Sequence, residues 1–392
     1  MSTGYVARAL AAYDRSRLTL CSIGSHSALD VAFGARAQGL RNLVVTAKGR
    51  ERTYARYFAV DDDPPRGCVD EVLELEAFPE ILRDAVQKRL LERNVVFVPN
   101  RSFEVYLHQK YEYDEIERRM LVPFFGNRYL LKAEERPSPL DSAPSGRSAQ
   151  DDIGDQYALL RRAGIRHPRQ FGSPDEIDRL VMVKAPHARV SFERAFFLAS
   201  SAAEYRRVGD RLIQEGVLTA ADLSSARIEE YALGPSVNLN FFYSPILGEL
   251  ELLGTDTRRQ TNLEGFRNIP PAALDAVRGV AMRLEEAGHI AATILESMLE
   301  PAFELGERFV TAARETSAPG VIGPFALQCI IAAGPPKEFV CYDVSLRIPG
   351  SPGTRYTPYS AYRWGRDVSV GERIAMEIVM ARDTDRLGDV LT

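Results

Sequence analysis

Lysine is close to missing from this chain. Of 49 Lys and Arg residues among 392, only six are lysine, at positions 48, 88, 110, 132, 184 and 337. That scarcity runs against the Lys and Glu enrichment of hyperthermophile proteins and fits an arginine-biased, GC-rich genome. Cysteine is also sparse: four residues, at 21, 68, 329 and 341, with no CxxC pair. This excludes a disulfide scaffold and reads as small buried hydrophobes in a reducing compartment. No apolar run approaches the roughly 18 residues of a membrane helix. The first twenty residues carry Arg8, Asp14, Arg15 and Arg17, so they lack the apolar core of a secretion signal. A cytoplasmic location is expected, with no membrane association. No basic block exists and the net charge is -5, which gives no support for nucleic-acid binding. What remains is ordinary globular composition, 45% hydrophobic and 26% charged, with room for two or three lobes.

Two halves differ in pattern. In the first, Arg17–Ser25, Leu43–Thr46 and Val95–Pro99 read as buried strands, Ala28–Gly39 as a helix, and 72–93 as helical. Strands alternating with helices imply a parallel sheet covered on both faces, a small doubly wound domain over residues 1–125. Ligands of such sheets sit at the carboxyl ends of strands, where Gly24-Ser25-His26-Ser27 and Asn100-Arg101-Ser102 fall. Residues 137–153, rich in Pro, Ser, Gly and Asp, read as a linker or insertion. Beyond it a helix is expected at 155–164 and another near 202–216, with strands at 180–184, 195–199, 228–233, 237–243 and 250–255. Helices near 271–287 and 295–315 then precede strands at 325–333 and 338–348 and an amphipathic helix at 370–389. This second half is α+β, and no internal repeat is visible.

Several groups could carry chemistry. Gln328, Asp343, Ser345 and Arg347 interrupt apolar strands, and the last three alternate on one face. A carboxylate and an amide on adjacent strands suit Mg²⁺, which takes a few protein oxygens and completes its shell with phosphates; the plainer reading is a sheet with one solvated face. Lys184 ends an apolar strand, where it is either a phosphate-binding point charge or an ordinary strand-end charge. Glu229-Glu230-Tyr231 is either an adenine hinge or an edge strand. His26, with Ser25 and Ser27 in a turn before a helix, makes an anion site. Arg258-Arg259-Gln260-Thr261-Asn262 suits phosphate or a polar heterocycle, or is a solvated loop.

Taken together, IGSHSALDVAFGARAQG (23–39), TAKGRERTYARY (46–57), LVPFFGNR (121–128), LLRRAGIRHP (159–168), IEEYALG (228–234), FFYSPILGELELLGTDTRRQTN (241–262), GPFALQ (323–328) and DVSLRI (343–348) resemble the archaeal formate–phosphoribosylaminoimidazolecarboxamide ligase family, a branch of the ATP-grasp enzymes. The resemblance runs in order over nearly the whole chain. It implies an α/β fold with a Rossmann-like N-terminal domain (1–125) and a two-lobed α+β ATP-grasp region (126–230 and 231–392). In that family ATP activates formate as formyl phosphate, and the ribonucleotide's exocyclic amine attacks it to give the formamide of purine synthesis. Matching positions imply that His26, Ser102 and Asn262 bind the ribonucleotide, and Ser27 and Arg259, from the turn and the polar cluster above, are the further substrate-binding candidates. They likewise assign Lys184, Glu229, Glu230 and Tyr231 to ATP and Gln328 and Asp343 to Mg²⁺ (the latter position usually Glu); Lys184 and Arg347 are the candidate catalytic residues. A homo-oligomer, trimer or hexamer, is also implied.

The departures from that pattern gather on the phosphate side. His187–Arg194 contains no glycine where the family has a Gly-rich loop, so backbone N–H groups cannot be presented as cheaply. Ala158 and Leu295 stand where basic residues are expected, and Asn100-Arg101 replaces His-Gly. Arg189 and Arg194 are candidate substitutes for the missing contacts. Two alternatives to the purine reaction therefore stand: a paralogue in one-carbon cofactor synthesis (tetrahydromethanopterin or methanofuran type) of a methylotrophic bacterium, or a relative that no longer uses ATP.

Overall fold

The computed structural model describes residues 3–108, 110–134, 154–184, 196–277, 280 and 286–392. Strands β1 (Thr19–Ile23) and β2 (Arg41–Ala47) are followed by a short ladder, β3 (Asp61–Asp62) with β4 (Pro65–Arg66), and then by β5 (Glu71–Leu75) and β6 (Val95–Phe97). β5, β2, β1 and β6 lie in that order as a fully parallel sheet. All five residues of β1 are buried, as expected of a strand covered on both faces. The expected helix over 72–93 is corrected at its start. Leu73 and Leu75 are buried while Glu74 is exposed, a period of two, so this stretch pairs with β2 as the sheet edge. A 3-10 turn at Phe78–Leu82, with Pro79 in its first positions, separates it from the helix Asp84–Leu91. A helix at Thr3–Ala12 was not expected; Val6 and Leu10 seat it in the core.

The middle sheet contains β7 (Gln170–Phe171), β8 (Val181–Lys184), β9 (Phe196–Ala199) and β10 (Arg227–Glu230), antiparallel in the order β7-β10-β8-β9. Its apolar residues, among them Val181, Val183 and Ile228, form a cluster of their own. The last sheet contains β11 (Ser236–Ser244), β12 (Glu249–Gln260), β13 (Glu286–Ala291), β14 (Gly323–Ala332) and β15 (Glu338–Ser345), antiparallel in the order β13-β12-β11-β14-β15. The helix Leu299–Thr316 covers one face, with Phe309 stacked on Phe325 at 5.5 Å. Phe241, Phe309 and Phe325 belong to the same core as Cys21, Val45 and Phe97 of the parallel sheet.

The expected helix at 271–287 is a second correction. Pro271–Val277 is a 3-10 segment, and Glu286 opens a strand that pairs Arg258 with His289. Cross-strand pairing with the long β12 overrides a helix-like composition. The tail helix ends at Asp383 and is buried nearly all round, not on one stripe. It crosses the helix Ala28–Ala37 at two glycines. A Cβ on Gly34 would lie 2.3 Å from the Glu372 backbone nitrogen, and one on Gly371 would lie 2.2 Å from the Asp30 carbonyl oxygen. The Gly371 N–H also donates to buried Asp30 at 2.9 Å. Gly371→Ala is therefore expected to separate the helices and to lower stability by about 3 kcal/mol, read by denaturant unfolding. A neutral substitution would show that the contact is not close.

Candidate active site

In β11, Asn238 and Asn240 alternate with Val237, Leu239 and Phe241, which sends the amides to one face of the sheet. The register sets Asp256, Asn238, Gln328 and Asp343 side by side across β12, β11, β14 and β15. Fully buried Asp256 accepts hydrogen bonds from Asn238 Nδ2 at 2.8 Å and Asn240 Nδ2 at 2.7 Å. Both amides thus turn their oxygens away from it. Asn238 Oδ1, Asn240 Oδ1 and Gln328 Oε1 are buried and have no hydrogen-bond partner among the described residues. Burying such acceptors without a donor is costly. A row of bare amide oxygens beside the Asp343 carboxylate is a donor set that a hard oxygen-seeking cation satisfies, so Mg²⁺ fits it.

One end of this row is closed by His289. Its Nδ1 lies 2.5 Å from Asp256 Oδ2 and its Nε2 lies 2.7 Å from Glu286 Oε1. Burial alone would push the imidazole pKa down, but the hydrogen bonds and charges of the two carboxylates outweigh it and hold the pKa at about 9. Burial would likewise raise the Glu286 carboxyl, but His289 and Arg258 bring it to about 2. Because the His289 pKa is raised on folding, its stabilisation is complete below about 6.5 and disappears as pH rises through about 9. Across that window stability should fall, and histidine-ring NMR should show one of the five imidazoles titrating near pH 9. A set of rings that all titrate near 6.5 would contradict this.

Arg258 shares the face of Asp256, with Nε 3.3 Å from Glu286 Oε2 and Nη2 4.0 Å from Asp343 Oδ2. Arg259, the residue expected to bind substrate, is exposed and one position out of phase, so strand alternation turns it to the other face. Asn262 follows β12 in a left-handed conformation with φ 41°.

The parallel sheet supplies the opposite wall. Asn100 Nδ2 faces the carbonyls of Ile23, Ser25 and His26 at 2.8, 3.2 and 3.1 Å, and its Oδ1 accepts from Ser102 N at 3.1 Å. One side chain therefore fixes the His26 loop and caps the helix that carries Ser102, a local reason for asparagine at this departure from the family. Ser27 adopts φ 52° and donates from Oγ to the Pro349 carbonyl. His26 is exposed; partial desolvation and the nearby Arg347 charge lower its pKa. A Cβ on Gly350 would lie 3.4 Å from His26 Nδ1 and 3.8 Å from His289 Nε2, so both imidazoles approach this one glycine. Arg347 lies beyond the end of β15 and meets Glu134 at 3.3 Å. Burial pushes the Glu104 carboxyl up to about 8, with the Glu134 charge adding to it and Arg101 and Arg347 opposing.

On the middle sheet, Lys184 Nζ lies 2.5 Å from buried Glu229 Oε2, and Arg227 Nη2 lies 3.0 Å from Asp155. The Glu229 carboxylate thus faces Lys184, while Glu230 accepts from Arg169 N at 3.2 Å and the Tyr231 N–H donates to the Leu180 carbonyl at 3.0 Å. Asp155 caps the helix Gln156–Arg162. From that helix Gln156 Oε1 accepts from Val344 N at 2.9 Å and the Tyr157 hydroxyl donates to the Tyr342 carbonyl at 3.3 Å, gripping the strand on both sides of Asp343. The lysine strand and the oxygen row are tied through this one helix.

Gln328 and Asp343 are thus direct neighbours, with Arg258 reaching Asp343, whereas His26 and Ser102 belong to the parallel-sheet domain and Arg347 follows β15. Asn238, Asn240, Asp256, Glu286 and His289 were not singled out from sequence. The alternation that marks Asp343 and Ser345 is equally present in Ser236–Phe242, while helix-like composition concealed Glu286 and His289. Ala158 lies in the first turn of its helix, its N–H bonded to Asp155 at 2.9 Å, and Leu295 is exposed. The loop at 187–194, with Arg189 and Arg194, and the whole 137–153 insertion lie outside the described residues. The four cysteines are buried and free. Among the described residues no helix is long and apolar enough to cross a membrane.

A parallel-sheet domain joined to two antiparallel sheets, with amides and a carboxylate in one row, is the ATP-grasp fold. Solved structures with this architecture include an ADP complex of purK, N5-carboxyaminoimidazole ribonucleotide synthetase (11% identity, TM-score 0.54, covering 89% of this chain and 76% of that one). The chain belongs to the 5-formaminoimidazole-4-carboxamide-1-(beta)-D-ribofuranosyl 5'-monophosphate synthetase family. It is 36% identical over 383 residues to the Methanopyrus kandleri member, covering 98% of this chain and 97% of that one. The Methanocaldococcus jannaschii member is 34% identical, at 97% and 96% coverage. An IMP biosynthesis protein PurP from Thermococcus kodakaraensis is 28% identical with TM-score 0.68, covering 95% of this chain and 100% of that one. Residues 20–171 match a family described as "Protein of unknown function (DUF1246)" and residues 204–392 one described as "Domain of unknown function (DUF1297)".

Proposed function

We propose that this chain is an ATP- and formate-dependent ligase that formylates the exocyclic amine of the aminoimidazole carboxamide ribonucleotide in the cytoplasm. The observation that supports it most is the register row in which Gln328 and Asp343 stand together with the bare Asn238 oxygen. These residues would hold Mg²⁺, which neutralises phosphate charge when bound. Lys184, with Glu229 fixing its ammonium, is assigned to the ATP phosphates, and Glu230 and Tyr231 to the nucleoside end. His26, Ser27, Ser102 and Asn262 are assigned to the ribonucleotide, with the Arg347 charge close enough to lower the His26 pKa. Positioning these groups around one cleft replaces an encounter of three free reactants with an oriented one. The division into 1–125, 126–230 and 231–392 and a homo-oligomeric state, trimer or hexamer, belong to the same proposal; sedimentation equilibrium checks the latter. The decisive test is ADP release by the purified chain with ATP, Mg²⁺, formate and the ribonucleotide. Formate-dependent release with formation of the formamide is expected. ADP release independent of formate, or none at all, would overturn the reading.

A further inference from the structure

Arg258 stands between two carboxylates without being closed onto either. Its contacts of 3.3 Å to Glu286 and 4.0 Å to Asp343 are longer than the roughly 2.8 Å of a closed charge-assisted bond. Its Nε is buried and has no hydrogen-bond partner among the described residues. An arginine beside a glutamate normally closes a two-pronged fork on both carboxylate oxygens. Here the fork stays open: His289 Nε2 draws Glu286 Oε1 to itself at 2.7 Å, and Oε2 is the oxygen nearest Arg258, at 3.3 Å. His289 is itself fixed at 2.5 Å by Asp256, which two asparagines hold in place. Both ring nitrogens face carboxylates, so both donate, and the ring bridges Asp256 and Glu286.

From this geometry we infer that Arg258 is an anion-binding catalytic residue aimed at a phosphate oxygen over the amide row, and that His289 is its positioning residue, which keeps Glu286 from capturing it. The inference deepens the ligase reading and rests on it for the identity of the natural anion, a phosphoryl or acyl-phosphate group. The strand position supports the assignment: Arg258 lies two residues from Asp256 on the site face and reaches toward Asp343, the carboxylate at the far end of the row.

The test is binding of inorganic phosphate, followed by titration calorimetry on the full chain, in wild type and four variants. Arg258→Met should abolish binding. His289→Leu should weaken it about tenfold, equivalent to about 1.4 kcal/mol, because Glu286 then closes on the arginine. Adding Glu286→Gln to His289→Leu should restore affinity to within about threefold of Glu286→Gln alone. A purely structural histidine would not be rescued by removing a second charge. Phosphate affinity untouched by Arg258→Met or His289→Leu, losses that multiply in the double variant, or a wild type that binds no phosphate would each overturn the inference. Formate-dependent ADP release by wild type, measured alongside, judges the ligase reading separately, since the phosphate series does not depend on turnover.

Discussion

Asp343→Asn is expected to lower turnover about a thousandfold while leaving the protein folded. The change keeps the side chain's shape and removes the carboxylate paired with Gln328, while the row's other carboxylate, Asp256, is already engaged by Asn238, Asn240 and His289. A magnesium ion would then meet neutral amides alone, and the several kcal/mol of charge stabilisation supplied by a bound metal would be lost. At 1.36 kcal/mol per tenfold, that loss is about three orders of magnitude. Folding should survive because the Asp343 side chain is 24% exposed and its strand is held by β14 and by Gln156. Asp343→Glu, the residue usual in the family, should stay within about tenfold of wild type. Steady-state rates over a range of Mg²⁺ concentrations read both variants. An Asn variant within tenfold of wild type, with unaltered Mg²⁺ dependence, would remove Asp343 from the metal site.

The second large effect concerns stability. Arg373 is fully buried, with Nη2 2.8 Å from Glu251, Nη1 2.9 Å from Glu377, and its guanidinium 4.2 Å from the Phe242 ring centroid. Both carboxylates are themselves inaccessible, with further bonds to Glu251 from Trp364 Nε1 at 3.0 Å and to Glu377 from Ser244 Oγ at 2.8 Å. Arg373→Met would leave two buried negative charges facing each other. Removing one partner of a buried ion pair costs about 3–5 kcal/mol, a large share of the roughly 5–15 kcal/mol by which a domain is stable. Denaturant unfolding should show that loss, and adding Glu251→Gln and Glu377→Gln should recover much of it. A loss under about 1 kcal/mol would mean that the network is solvated.

Much of the fold was legible because apolar runs bounded by Gly and polar turns mark β1, β2, β6, β8 and β14 without help from distant residues. The failures were local and had physical causes. Val72–Leu75 carries two-residue alternation too short to outvote the helix that follows it. Glu286–Ala291 has little strand propensity of its own and is a strand because β12 offers an edge. For the site, Gln328 and Asp343 are visible as polar breaks in apolar strands, but of the adjacent pair it is Arg258, and not Arg259, that turns toward Glu286 and Asp343. Sequence adjacency cannot state which of two neighbours points inward until the phase of the strand is known.

The sequence alone determined the family, the parallel sheet and the sparse lysines, with Lys184 at a strand end. Only tertiary structure could assemble the row of Asp256, Asn238, Gln328 and Asp343, because these residues lie on four strands and as much as 105 positions apart in the chain. Their meeting depends on antiparallel register, and a shift of one residue would send each side chain to the opposite face. The same holds for His289 and Arg258, whose charges acquire a chemical purpose only when cross-strand pairing sets them against Asp256, Glu286 and Asp343.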